Sequence, residues 1–204
     1  MNTQLVNQNG TAVKVTKSGE LTTHAIVETE RQNVLRKGKS YNANTGWMTL
    51  TSATTSAVAF IRNDGADKLV IASIIVGFKQ STGGAVGEPA DIYILRNPTG
   101  GTIVSTATAM EISPLNKGAN RNYGSSTPVS GVSYKGVEGA TLTGDEGPTI
   151  LLAGSMSNRS LLLDVFIEVQ NGNSLGVTVK PPTGNTSVDV YVGFDLFVTE
   201  DLFE

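Results

Sequence analysis

The sequence predicts an all-β protein, a jelly-roll-like antiparallel β-sandwich with an extended N-terminal arm. Three observations lead to this prediction. Short runs of β-branched and aromatic residues alternate with polar ones, turn-forming residues separate the runs, and no window has the composition of a long helix. The chain of 204 residues contains 23 glycines, which suit tight turns because glycine reaches the positive φ angles that many turns require.

Eight segments from Trp47 onward have the pattern of β-strands: 47–51, 57–62, 69–78, 91–96, 149–152, 160–169, 175–180 and 188–198. Segment 69–78 (LVIASIIVGF) is almost uncharged, which predicts a strand at the centre of a sheet. In segment 188–198, apolar residues recur at a spacing of two and predict a half-buried strand. Trp47 is expected to pack in the core. Eight strands separated by turns predict two packed sheets.

The chain is predicted to divide into two parts. Residues 1–44 carry short β-like pieces and no long hydrophobic run, which is typical of an extended arm, and residues 45–204 are expected to form the sandwich. Segment 103–109 is compatible with a strand or a helical turn. Residues 116–139 are expected to form a long exposed excursion with short paired pieces, and such loops often contact a partner.

Charge and composition argue against several classes of partner. The formal net charge is −3 with a pI of about 5.2, and no dense Lys/Arg cluster exists, so we expect no nucleic-acid partner. The basic stretch from Arg31 to Lys39 is more typical of a solvated arm. No apolar run approaches membrane-spanning length and the N-terminus lacks a secretory pattern, so we expect no membrane partner and synthesis in a reducing cytoplasm.

Few residues are suited to catalysis or metal binding. Cysteine is absent and His24, the single histidine, falls in the predicted arm, so the usual metal ligands and a rigidly held catalytic histidine are missing. Asp145 and Glu146 are adjacent in a glycine-rich loop, whereas two carboxylates of a glycosidase face each other across a cleft. That loop also lacks the dense acids of most calcium sites. We expect no enzyme activity, no cofactor and no metal.

Two stretches carry a resemblance to a known class of protein. They are residues 51–78, TSATTSAVAFIRNDGADKLVIASIIVGF, and residues 175–198, LGVTVKPPTGNTSVDVYVGFDLFV. They resemble virion proteins of tailed bacteriophages, in particular β-sandwich head decoration (cement) and accessory proteins. The resemblance is one of pattern over residues 45–204 and includes no catalytic signature. It implies a structural role in the virion and assembly as a homo-oligomer, with a trimer favoured. The implied partners are the major capsid protein or other virion subunits.

Two parts of the chain are predicted to contact these partners. The arm is expected to clamp onto a neighbouring subunit by added-strand hydrogen bonding, and the excursion is expected to supply a second contact. The candidate residues are Val13, Val15, Leu21, Ile26, Val27, Arg31, Arg36, Tyr123 and Tyr134. Two alternatives stay open. One is a receptor- or glycan-binding module of a tail fibre or tailspike, and the other is a sandwich hydrolase with a carboxylate pair in a deep cleft.

Overall fold

The strands form two antiparallel sheets in the computed structural model of the chain. The structure describes residues 39–51, 54–80, 89–106, 108–115, 131–155, 159–182 and 187–199, all in one compact unit. Every pairing between the described strands is antiparallel. The prediction of an all-β sandwich is confirmed.

Within the described residues, eleven strands and one helical turn follow one another. They are β1 (Ser40–Leu50), β2 (Ser56–Asn63), β3 (Lys68–Gln80), β4 (Pro89–Arg96), α1 (Thr102–Ser105), β5 (Thr108–Ala109), β6 (Glu111–Pro114), β7 (Gly131–Lys135), β8 (Pro148–Ser155), β9 (Arg159–Val169), β10 (Ser174–Lys180) and β11 (Val188–Thr199). Each of the eight predicted strands is present. Segment 103–109, where strand and helical turn stayed open, contains parts of both α1 and β5.

The boundary predicted between arm and sandwich is wrong by a few residues. Residues 40–44, which the sequence pattern assigns to the arm, form the first half of β1 and pair with both β11 and β6. The polar Asn42 and Asn44 alternate there with the buried Tyr41 and Ala43, so no hydrophobic run marks the strand. The remainder of the predicted arm, residues 1–38, lies outside the described residues.

The long strands alternate between the two sheets along the chain, except that the successive long strands β4 and β8 both belong to sheet II. Sheet I has the order β6-β1-β11-β3-β9, and sheet II has the order β5-β7-β2-β10-β4-β8. Thus β1, β3, β9 and β11 belong to sheet I, and β2, β4, β8 and β10 belong to sheet II. Because β3 lies between β11 and β9, the prediction that segment 69–78 is an interior strand is confirmed.

The hydrophobic core lies between the two sheets. Sheet I contributes Ile74 and Val76 from β3, and sheet II contributes Ile92 from β4 and Val177 from β10. The core residues of β11 are Val188, Val190, Val192, Phe194, Leu196 and Val198. This set confirms the spacing of two predicted for segment 188–198. Removing these side chains from water is the main favourable contribution to folding.

The outer face of sheet II is covered by the chain's own residues. Phe60 of β2 packs with Ile103 of α1 and Ala140 of the loop after β7 in a second buried cluster. On β10, a Cβ atom at Gly176 would collide with Leu142 of the same loop. Glycine at this position lets the Leu142 side chain pack directly on the strand. Sheet II thus has apolar contacts on both of its faces.

A bulge in β1 decides which of its side chains face the core. The register between β1 and β11 shifts between Asn44 and Trp47, and Gly46 in this step has a φ of +66°. The Thr45 hydroxyl oxygen accepts a hydrogen bond of 3.0 Å from the Val192 backbone N–H. The buried apolar residues are odd-numbered before the bulge (Tyr41, Ala43), whereas Leu50 after it is even-numbered. Trp47 is therefore turned to the outer face of sheet I.

Candidate binding surface

Large apolar side chains are exposed on the outer face of sheet I. Trp47 of β1 is 57% exposed, and Leu162 and Phe166 of β9 are 57% and 72% exposed. The prediction that Trp47 packs in the core is wrong, because the bulge in β1 reverses its direction. Single exposed apolar residues are ordinary on protein surfaces, whereas a contiguous patch of them is typical of binding surfaces.

Trp47 lies along the sheet rather than standing away from it. In the register of the sheet, Trp47 is opposite Tyr191 of β11, which is opposite Gly77 of β3. The indole reaches across β11, because its Cη2 atom would be only 3.3 Å from a Cβ atom built on Gly77. Its ring centroid lies 5.7 Å from that of Tyr191, with 45° between the planes. We call these two rings the aromatic platform.

Tyr191 also lies against the sheet, over a second glycine. Its hydroxyl oxygen would be 3.0 Å from a Cβ atom built on Gly193, two residues further along β11. Partial burial raises the pKa of Tyr191 above its ordinary value of 10.0, and the nearby Asp195 carboxylate adds to the rise. The phenol therefore stays neutral and keeps its proton over the physiological range.

Hydrogen bonds orient two carboxylates on the same face. The Thr49 hydroxyl donates to Asp189 Oδ1 at 2.7 Å. Asp195 accepts from Asn42 Nδ2 at 3.2 Å and from the Ser73 hydroxyl at 3.1 Å. These bonds fix the orientation of both carboxylates, and a carboxylate oxygen can accept more than one hydrogen bond.

Along β9, at the edge of the face, the exposed apolar residues Leu162 and Phe166 alternate with the exposed acidic residues Asp164 and Glu168. Phe166 of β9 contacts Phe197 of β11 edge to face, with ring centroids 6.1 Å apart. Phe197 packs with Val70 and Ala72 in a small cluster of its own, in which every side chain is at most 4% exposed. Leu162 lies on the same face of β9, four residues before Phe166. We call these five residues the apolar corner.

Of the predicted contact residues, the structure describes only Tyr134. Its ring, on β7, stacks on Phe60 of β2 with centroids 6.2 Å apart and 12° between the planes. This contact gives Tyr134 a packing role within the sandwich, and its contact with a partner stays a prediction. Val13, Val15, Leu21, Ile26, Val27, Arg31, Arg36 and Tyr123 lie outside the described residues.

The acidic residues in the loop before β8 stabilise turns. Asp145 Oδ1 accepts a hydrogen bond of 2.8 Å from the Gly147 backbone N–H, and Glu146 Oε1 accepts one of 3.1 Å from Asn97 Nδ2. Among the described residues, no group of three or more His, Asp or Glu side chains is arranged to hold a metal ion. Both carboxylates thus have local structural partners.

A hollow of about 360 Å³ lies beside this loop and is lined by Phe60, Arg62, Asn97 and Glu146, among others. The Arg62 guanidinium is paired with Asp64. Its Nε lies 2.7 Å from one carboxylate oxygen of Asp64, and its Nη2 lies 3.0 Å from the other. The hydrogen bond to Asp64 raises the pKa of Arg62. An anionic ligand in this hollow would therefore have to compete with Asp64 for the Arg62 guanidinium.

Sequence reasoning did not identify the aromatic platform. A signal was present, since Gly77 and Gly193 interrupt the two strongest strand patterns in the chain. Glycine inside a strand often marks the close approach of another group. Here that group is an aromatic ring from a neighbouring position on the same sheet face.

Compared with known proteins, the chain matches no family model and no curated protein. None of the helical structure in the described residues has the length and apolar character needed to cross a bilayer. Function is therefore inferred from the residues themselves and from the geometry of the outer face of sheet I.

Proposed function

We propose that this chain is a non-catalytic structural subunit of a tailed-phage particle, where it decorates and stabilises the head shell as a cement protein. The observation that carries the proposal is the apolar corner, where Leu162 and Phe166 are 57% and 72% exposed on an 11-residue strand. Surfaces of this kind are typical of contacts between proteins. The assignment to phage follows from the sequence resemblance.

We further propose that the sandwich is a jelly roll. In that fold, eight strands in two Greek keys are divided between two packed sheets. The orders β1-β11-β3-β9 and β2-β10-β4-β8 support this proposal. The short strands β5, β6 and β7 lie between β4 and β8 in the chain and extend the β1 and β2 edges of the two sheets.

The two stretches that resemble phage proteins contribute to the framework of the sandwich. Residues 51–78 include β2 and most of β3, and residues 175–198 include most of β10 and of β11. Each of these strands has a neighbour on both sides within its sheet. The resemblance therefore concerns the framework, while attachment depends on surfaces that the framework presents.

Attachment is proposed to use the apolar corner together with the arm and the excursion, as a homotrimer bound to neighbouring shell subunits. Several weak contacts that act together bind far more strongly than each one alone, because the later contacts form at high effective concentration. The capsid side of this contact would present apolar surface to cover Leu162 and Phe166.

Light scattering of the purified chain, alone and mixed with particles that lack it, tests this proposal. Stable trimers that saturate the particles at a fixed ratio are expected. Deleting residues 1–38 is expected to abolish incorporation without unfolding the sandwich. A monomer that does not bind the particles would contradict the proposal.

A double variant separates the apolar corner from general surface effects. Leu162→Ser with Phe166→Ser is expected to lower particle occupancy at least about tenfold, since it removes two apolar anchors. The matched control is Val137→Ser, because Val137 is 61% exposed in the loop after β7. If both variants bind like the parent chain, the corner is not the attachment surface.

A further inference from the structure

The aromatic platform has a shape that the structural role leaves unexplained. The Trp47 indole is held down over Gly77, and yet 57% of the side chain is open to solvent. Because the tip of the indole rests on the sheet at Gly77, the accessible part of the ring is the part that is turned away from the sheet. A ring presented in this way offers a stacking surface, whereas a ring that inserts into a pocket on a partner stands away from its own sheet.

The second ring widens this surface. Tyr191 lies beside the indole at 5.7 Å, tilted by 45°, and is itself held over Gly193. The aromatic platform is thus a shallow surface made of two rings that are inclined to each other. Glycine at both positions is the physical reason, because a Cβ atom at Gly77 or Gly193 would approach the ring above it to 3.3 Å or 3.0 Å.

Hydrogen-bonding groups lie beside the aromatic platform. Asp189, with its 2.7 Å bond from Thr49, is two residues before Tyr191 on the same face of β11. Asp195, held by Asn42 and Ser73, lies beyond Gly193 on that face. Oriented carboxylates accept hydrogen bonds from hydroxyl groups, and they repel anions at this short range.

We propose that the aromatic platform binds a neutral pyranose unit of a glycan. One face of a pyranose ring carries C–H groups that stack on an aromatic ring, and its edge carries hydroxyls that donate to carboxylates. The open, shallow site suits a unit within an extended chain. Asp189 is opposite the exposed Lys79 of β3 on this face, so the preference for neutral over acidic sugars is assigned to Asp195. The platform borders the apolar corner, because Leu162 is opposite Ile75 of β3, which is opposite Gly193 of β11. Phe166, four residues further along β9, is proposed to mediate shell attachment away from the two rings.

Trp47 is the only tryptophan in the chain, so its fluorescence reports directly on the site. Titration is done with neutral trisaccharides of glucose, galactose, mannose and N-acetylglucosamine, and with trigalacturonic acid as the anionic probe. We expect a saturable shift of the emission to shorter wavelength with at least one neutral sugar, protection from acrylamide quenching, and binding of the acidic sugar at least about tenfold weaker.

Two variants test the geometry. Gly77→Val is expected to lift the indole and weaken sugar binding at least about tenfold, and Trp47→Ala, followed by calorimetry, is expected to weaken it by as much. Circular dichroism checks folding, and Val137→Ser is expected to bind like the parent chain.

No saturable response to any neutral sugar, or unchanged affinity in Trp47→Ala, would overturn the proposal. An emission shift with phage particles but with no sugar would also overturn it, by assigning Trp47 to a protein contact.

Discussion

Two glycines decide what the outer face of sheet I presents. At Gly77 and Gly193, the missing side chains leave space that Trp47 and Tyr191 occupy by lying on the sheet. A Cβ atom at either position would make a tight contact of 3.3 or 3.0 Å with the ring above it, so the ring would have to shift by a few tenths of an ångström. The same contact that flattens Tyr191 also partly buries its hydroxyl beside Asp195, which is why its pKa is raised.

The raised pKa of Tyr191 makes stability depend on pH in the alkaline range. Above about pH 10 the phenol ionises in the unfolded chain but keeps its proton in the folded one, so the free energy of unfolding falls as pH rises. Tyr191→Phe is expected to reduce this fall. Urea unfolding of both proteins at about pH 8, 10 and 11 measures it, and a difference in stability that stays constant with pH would contradict the prediction.

Among the elements, β3 shows how alternation assigns neighbouring side chains to different environments. Ile74 is fully buried between the sheets, whereas the next residue, Ile75, is half-buried on the outer face. The sequence pattern cannot tell the two apart, because the strand is apolar at almost every position. Only the packing of sheet II on one side of β3 distinguishes them.

This difference predicts unequal effects of the same substitution. Ile74→Ala is expected to lower the free energy of unfolding by about 3 kcal/mol, since it leaves a cavity in the core. Ile75→Ala is expected to cost about 1 kcal/mol, because its side chain is already partly in contact with water. Urea denaturation measures both, and equal losses would show that the assignment of faces in β3 is wrong.

At the scale of the whole molecule, Asn63 joins the two sheets at one end of the sandwich. It ends β2 of sheet II, and its Nδ2 donates to the backbone oxygens of Val169 at 2.8 Å and Asp67 at 2.9 Å, which lie at the end of β9 and just before β3 in sheet I. Its Oδ1 accepts from the Gly65 backbone N–H at 2.9 Å. One buried amide therefore links two turns that are distant in sequence.

Removing this link is expected to destabilise the whole sandwich. Asn63→Ala should lower the free energy of unfolding by about 2–3 kcal/mol, because it leaves buried backbone groups without partners. Asn171→Ala is the matched control, since Asn171 is exposed and donates one bond of 2.8 Å to the Gly65 oxygen. It should cost no more than about 1 kcal/mol. Similar losses in chemical denaturation would refute a joining role for Asn63.

The sequence by itself determined the fold class and the strands, because alternation and turn residues are local properties of the chain. It identified segments 69–78 and 188–198 as strands and correctly separated the two faces of β11. It missed the start of β1, where polar residues alternate with Tyr41 and Ala43. It also placed Trp47 in the core.

Only the tertiary structure decided which faces are covered. The bulge at Thr45 and Gly46 reverses the alternation in β1, and it is defined by pairing with β11, which is about 150 residues away in sequence. The loop after β7 covers sheet II, while Trp47, Leu162 and Phe166 stay exposed on sheet I. Both outcomes depend on contacts between distant segments, and such contacts leave no local pattern in the sequence.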